Sequence, residues 1–436
     1  MSARCAAPER PLASVSVTGA AAAVPVAAHG PGSSVSTGSK AFLFSPFLDS
    51  AAFLLPIALA AALSPFALML HKDHVPLSAH FCLVIATDVA HVWGTAFRTY
   101  LDRRELLRRP WLYLLCPPAA FLGSFTLHYV GSPQIFWTAM SYYAMYHFVK
   151  QDFGLVALFV ARAGVRPSKH QMTLEKYTVY AAAAFPVLIW HAQPTEAFRW
   201  FNGGEQFVFT TPASAVRPLL ALYVLAACHY VFWEVWFNRH GRPVNWGKLF
   251  VMAGTWVTWG LGTLCDKEVL TLAWLNLFHG IPFMVMVGVY CRKRWAALPP
   301  SACTDRVVVL LTRQWYLFVP CLISLALVED VLWDVFVWQD YVPRLWDRYF
   351  YTVEGELPEL DAFWTSVATA ALSVPQIVHY ILDGYIWRFD GSNPGLREYL
   401  LGPPPAPHAT CKAPPALPTD IKIGEDSTQS KGLHTR

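Results

Sequence analysis

The sequence predicts an all-α fold, a polytopic integral membrane bundle of about ten transmembrane helices with both termini in the cytosol. Composition, apolar segmentation and the charge of the loops carry that expectation. Of 436 residues, 55% are hydrophobic, 15% aromatic and only 14% charged. A soluble domain holds roughly 45–50% apolar and about 25% charged residues. The apolar content, about 240 residues, is enough for about ten spans of ~20 residues each. A soluble enzyme, a disordered chain and a repeat solenoid are excluded on these grounds. The net charge of +4 carries no nucleic-acid signature. Nine cysteines show no CxxC pair, which argues against a disulfide framework or a zinc ribbon.

Residues 1–40 read as a disordered cytosolic arm rather than a cleaved signal, because Pro25 interrupts their only apolar run. A transmembrane catalytic bundle is expected over 41–388, and a disordered cytosolic tail over 389–436. Ten apolar segments are expected at 46–70, 77–101, 111–129, 134–161, 177–192, 213–237, 246–264, 269–291, 305–328 and 362–388. The fifth and seventh are short. Aromatic-rich loops at 194–212 and 330–361 fit an interfacial belt. Loops after the even-numbered segments, counted with Lys248 at the edge of the seventh, carry fourteen Lys and Arg against five after the odd ones. Lys and Arg favour the cytosolic side, which fixes the orientation. A reporter fused at residue 105 or 240 should therefore register the cytosol, and one at 200 or 345 the outside. An outside signal at 240 would overturn the ten-span topology.

Ionisable side chains in hydrocarbon cost at least ~2.5–3.5 kcal/mol, so those present need a reason. Segment two, HFCLVIATDVAHVWGTAFRTYLD, places Asp88 and His91 three apart on one helical face. Arg98 shares roughly that face, and Arg98 and Asp102 are expected to pair at its end. Segment four, SYYAMYHFVKQDFG, carries His147, Gln151 and Asp152, with Lys150 available as an ion-pair partner. Segment six contributes His229 and Glu234 in CHYVFWE. Segment eight, WLNLFHGIPF, holds Asn276 and His279, followed by Gly280 and Pro282, where a helix break would expose backbone around the histidine. Segment ten, PQIVHYILDGYIWR, spaces Gln376, His379 and Asp383 three and four apart.

Counted back from each cytosolic end, the five histidines lie about 9–14 residues in, one slab ~13–21 Å deep. Imidazole and carboxylate ligate iron, zinc, copper and manganese. His91, His147, His279 and His379 are the expected ligands, with His229 as an optional fifth. Asp88, Asp152, Asp383, Gln151 and Asn276 are expected to ligate, orient or assist them. No GxSxG, HExxH, Walker or GxGxxG element occurs, so serine hydrolysis, zincin chemistry and nucleotide binding are disfavoured.

The stretches DVAHVWG, YHFVKQDFG, NLFHGIP and VHYILDGYIW resemble the histidine-bearing helices of integral-membrane metal oxygenases of the Brp/Blh type, which cleave β-carotene. That resemblance covers about a tenth of the chain. It implies an all-helical membrane protein with four histidines on iron and an apolar passage for a polyene. The chain departs from the family in its greater number of spans and its extra helix-borne acids, and the HxxHH boxes of desaturases are absent. The expected function is a membrane metalloenzyme, an iron-dependent oxygenase or desaturase-like oxidase with one or two ions, acting on a lipid or isoprenoid. An electron donor is a possible partner, and the plasma membrane is the expected location in a bacterium. Two alternatives use the same residues. One is a proton-coupled transporter with an Asp/His relay; the other is an acyl- or other group-transferase with His279 as base.

Overall fold

The structure, a computed structural model, describes residues 42–70, 75–163, 167–192, 207–264, 267–297, 306–339 and 360–402. The N-terminal arm, the tips of both aromatic loops and most of the C-terminal tail lie outside the described residues. Within them the regular structure is helical, with no strand. Ten long helices overlap the ten apolar segments, the ninth displaced from 305–328 because Arg306–Arg313 forms a short helix of its own: α1 (Pro46–Met69), α2 (Leu77–Arg98), α3 (Pro110–Gly131), α4 (Pro133–Arg162), α5 (Lys169–Trp190), α6 (Ala213–Arg239), α7 (Trp246–Leu264), α8 (Glu268–Ala297), α9 (Trp315–Trp338) and α10 (Ala362–Ile386). Seven of these, all but α4, α5 and α7, are long and apolar enough to cross a membrane. The three others carry more polar and aromatic residues, such as the LysHisGlnMetThrLeuGluLys start of α5.

Helix starts follow side-chain capping, which satisfies amide groups that lipid cannot. Ser45 accepts from the Leu48 amide at 3.1 Å, Ser132 from Ile135 at 3.2 Å and Ser168 from Gln171 at 3.1 Å. Asp361 accepts from Trp364 at 2.9 Å. The Ser168 cap starts α5 eight residues ahead of the apolar run at 177. Helix α9 runs on to Trp338, so the second aromatic loop is shorter than its composition suggested. Residues Phe81–Val89 of α2 are wound in wide π turns, a local irregularity that often accompanies function.

Helix α8 is the centre of the fold, with 83% of its most apolar window buried, against 6% for α6. It packs on α1, α2 and α7, while α10 lies along α3 and the second half of α2. Helix α6 touches the rest chiefly through α5. A buried ionic group holds these peripheral helices: Lys248 Nζ lies 2.6 Å from both Glu175 and Glu234, and Tyr230 donates to Glu175 at 2.9 Å.

A second polar group lies where α2, α8 and α10 end. Arg98, 1% exposed, lies 3.2 Å from Glu105 and donates to the Ile386 carbonyl. Its guanidinium sits 4.2 Å above the Tyr290 ring. Asp102 caps the short helix Arg103–Arg108 and pairs with Arg294. Arg98 therefore pairs with Glu105, not with Asp102, because capping turns the Asp102 carboxylate away. Arg108 and Arg109 both donate to the Ser392 carbonyl, and Asn393 accepts from Arg108 at 2.9 Å. The short helix Leu396–Leu401 then buries Leu396, Leu400 and Leu401 in the main core. The folded unit thus reaches at least residue 402, beyond the boundary at 388. Arg162 joins both ends of that unit, donating to the Phe42 carbonyl at 3.1 Å and to the Leu401 carbonyl.

Burial alone would raise the Glu105 carboxyl, but Arg98, Arg108 and the Tyr113 hydroxyl hold it down at about 2. A folded value below the unfolded one contributes stability above the ordinary carboxylate range, and that contribution fades as pH falls toward 2. The melting temperature in detergent should therefore drop on acidification from pH 5 to pH 3. Glu105→Gln should melt lower at pH 7 and show a shallower acid dependence; an unchanged slope would contradict this role.

Candidate metal centre

Four helices deliver one imidazole each to a common point: His91 from α2, His147 from α4, His279 from α8 and His379 from α10. One ring nitrogen of each lies within 4.8 Å of the others, and all four residues are buried. His91 and His379 face each other with their Nε2 atoms 3.1 Å apart. Ring centroids stand 4.6 Å apart for His91–His279 and for His147–His379, and 5.1 Å for His147–His279.

These distances can be tested against metal geometry. Nitrogen–metal bonds of ~2.0–2.1 Å put adjacent ligand nitrogens about 2.9–3.4 Å apart, and opposite ones no more than about 4.2 Å. The 3.1 Å pair already has that spacing. The 4.8 Å limit asks the widest pair to close by about 0.6 Å on one ion. The donor chemistry agrees at two of the four rings. His147 Nε2 and both ring nitrogens of His279 are buried without a hydrogen-bond partner, whereas the unpartnered Nδ1 of His91 faces Asp88. Each such atom costs about 1–3 kcal/mol, and coordination to an ion would satisfy it. The group can hold a metal ion.

Local sequence explains the placement. Gly280 follows His279 where α8 crosses α2, and a Cβ there would stand 2.3 Å from the Thr87 carbonyl oxygen. Only glycine permits that approach, which brings His279 to His91. Helix α8 continues through Pro282 instead of breaking. Proline removes the amide that would bond the Phe278 carbonyl; separately, Gln151 of α4 donates to the His279 carbonyl at 2.7 Å and ties α4 to α8 beside the cluster. Aromatic rings fix the imidazole planes. Phe148 stacks on His279 at 3.6 Å, Tyr380 on His147 at 4.3 Å, and Phe283 meets His91 and His379 at 5.5 and 5.0 Å.

The expected acids divide into two groups. Asp88 lies 3.7 Å from His91 Nδ1 and Asp383 lies 3.6 Å from His379 Nδ1, behind the rings and beyond hydrogen-bond length. They stand beside two of the rings without joining the four-nitrogen group. Asp383 also accepts from Trp387 at 3.2 Å. Asp152 is turned to α7, where it accepts from Trp259 at 3.2 Å, and Lys150 is exposed. Asn276 donates to the Leu83 carbonyl at 3.2 Å and braces the π-wound part of α2. His229 is not brought to the cluster. It is exposed on α6 and accepts from Trp233 one turn along at 2.9 Å. Thr95, Tyr380, Phe148 and Phe283 complete the surroundings and were not singled out from sequence. Thr95 had a usable signal, since it stands one turn after His91 on the same face. Compared with family models, curated proteins and solved structures, the chain finds no match.

Proposed function

We propose that this chain is a multi-pass membrane oxidoreductase of about ten spans whose four histidines hold one transition-metal ion, with iron favoured, for the oxygenation of a lipid or isoprenoid. The carrying observation is the convergence of four buried imidazoles within 4.8 Å, with ring nitrogens of His147 and His279 left unpartnered. Neutral imidazole suits iron, zinc, copper and nickel, and the likeness to Brp/Blh-type stretches favours iron among them. A single ion fits better than two, because two-metal carboxylate sites draw several acids into the ligand set. Here Asp88 and Asp383 stand behind ligand rings. Bound iron would supply activation of O2. The chain's own part is to hold four nitrogens in place, to balance a divalent charge with two nearby carboxylates, and to exclude water with Phe148, Phe283 and Tyr380. A dioxygenase needs no further reductant, whereas a desaturase-like oxidase would draw electrons from a partner protein.

Metal analysis of the purified protein by mass spectrometry, paired with incubation of lipid and isoprenoid candidates under 18O2, tests this reading. The expected result is about one iron per chain and label in a product. A metal-free preparation with undiminished activity would return the site to the relay or general-base alternatives.

A further inference from the structure

We propose that Thr95 is the positioning residue that sets which nitrogen His379 offers to the metal, and that its hydroxyl follows the site through loading and release. This rests on the four-histidine metal reading. Thr95 Oγ1 lies 2.7 Å from His379 Nδ1, linking α2 to α10. Both residues are buried, at 3% and 0% exposure, so water does not compete for the contact. Asp383, at 3.6 Å from the same nitrogen, is too distant to replace it. Thr95 thus holds Nδ1 and leaves Nε2 directed at His91.

A neutral imidazole has one N–H and one lone pair. When Nε2 binds an ion, its lone pair is committed, the proton resides on Nδ1, and Thr95 accepts from it. Without an ion, the 3.1 Å Nε2–Nε2 contact requires one of the two rings to donate to the other. If His379 donates, its Nδ1 becomes the acceptor and Thr95 must supply the proton. A hydroxyl both donates and accepts, so threonine serves either state by rotating its O–H. A carbonyl or carboxylate accepts only and would favour a single tautomer.

The test compares wild type, Thr95→Val and Thr95→Ser loaded with Co(II), read by its visible absorption and by competition with a chelator. Thr95→Val keeps the shape and loses the hydroxyl; Thr95→Ser keeps the hydroxyl. The expected result is Co(II) binding weakened ~10–100-fold with a shifted absorption band in Thr95→Val, and within about threefold of wild type in Thr95→Ser. Wild-type affinity and spectrum in Thr95→Val, or equal impairment in both variants, would overturn the proposal. A wild-type protein that binds no Co(II) would instead overturn the metal reading. The Thr95 contact is then judged in metal-free protein labelled with 15N-histidine, where Thr95→Val should move the His379 Nδ1 signal. An unmoved signal would overturn the tautomer role as well.

Discussion

Alanine at His147 or His379 is expected to strip the purified protein of its metal while its helical content and detergent solubility stay close to wild type. Each residue supplies one of only four nitrogens, and no carboxylate lies within the group to take the vacated position. Changing a residue behind a ligand already costs about 10–100-fold in metal affinity, so loss of a ligand should cost on the order of 100-fold or more. Losing a buried ring should cost a few kcal/mol of packing, of the order seen for large-to-small core changes of about 2–5 kcal/mol. His229→Ala is the control. Its ring is exposed and bonded within its own helix, so metal content should not change. Full metal occupancy in His147→Ala, measured by mass spectrometry, would remove the four-histidine site.

Gly280→Ala is expected to be nearly as damaging, although it adds a single methyl group. The new Cβ would meet Thr87 at 2.3 Å from its carbonyl oxygen and 2.9 Å from its carbonyl carbon. Backbone atoms cannot swing aside as a side-chain tip can, so α2 and α8 must separate. Overpacking of this kind typically costs about 1–3 kcal/mol. The larger effect falls on the metal, because separating α2 from α8 moves His91 from His279 across a 4.6 Å ring contact. Metal content and melting temperature should fall together. Gly123→Ala should change neither, since nothing lies within 4 Å of its Cβ position. If Gly280→Ala keeps its metal and its melting temperature, the helix crossing is not what sets the site.

The helical segments were legible because apolar runs of membrane length have few other uses, and the four histidines because polar groups in such runs are costly. Helical spacing gives relative faces within one helix but not which face meets the core. His229 shows the limit. Its depth matched the others, yet α6 displays large apolar residues such as Leu222, Val224 and Trp236 outward and turns the histidine away as well. Asp152 follows His147 by five positions, about 140° around the helix, and so faces α7 while Gln151 faces α8. The π turns of Phe81–Val89 and the Gly280 crossing depend on partners distant in sequence. Leu396–Leu401 is too short for periodicity to reveal, and only its leucines dock it.

The clasp at Arg162 has a consequence for biogenesis. One guanidinium holds Phe42, where the described bundle begins, and Leu401, where it ends. During synthesis α1 emerges hundreds of residues before its last neighbour, and His91 waits equally long for His379. The four-histidine pocket therefore cannot close until translation has passed α10, and the strap from Trp387 to Leu401 is the final described piece to dock. A ribosome stalled before α10 would leave three of the four imidazoles in place and the pocket open on the side that His379 completes.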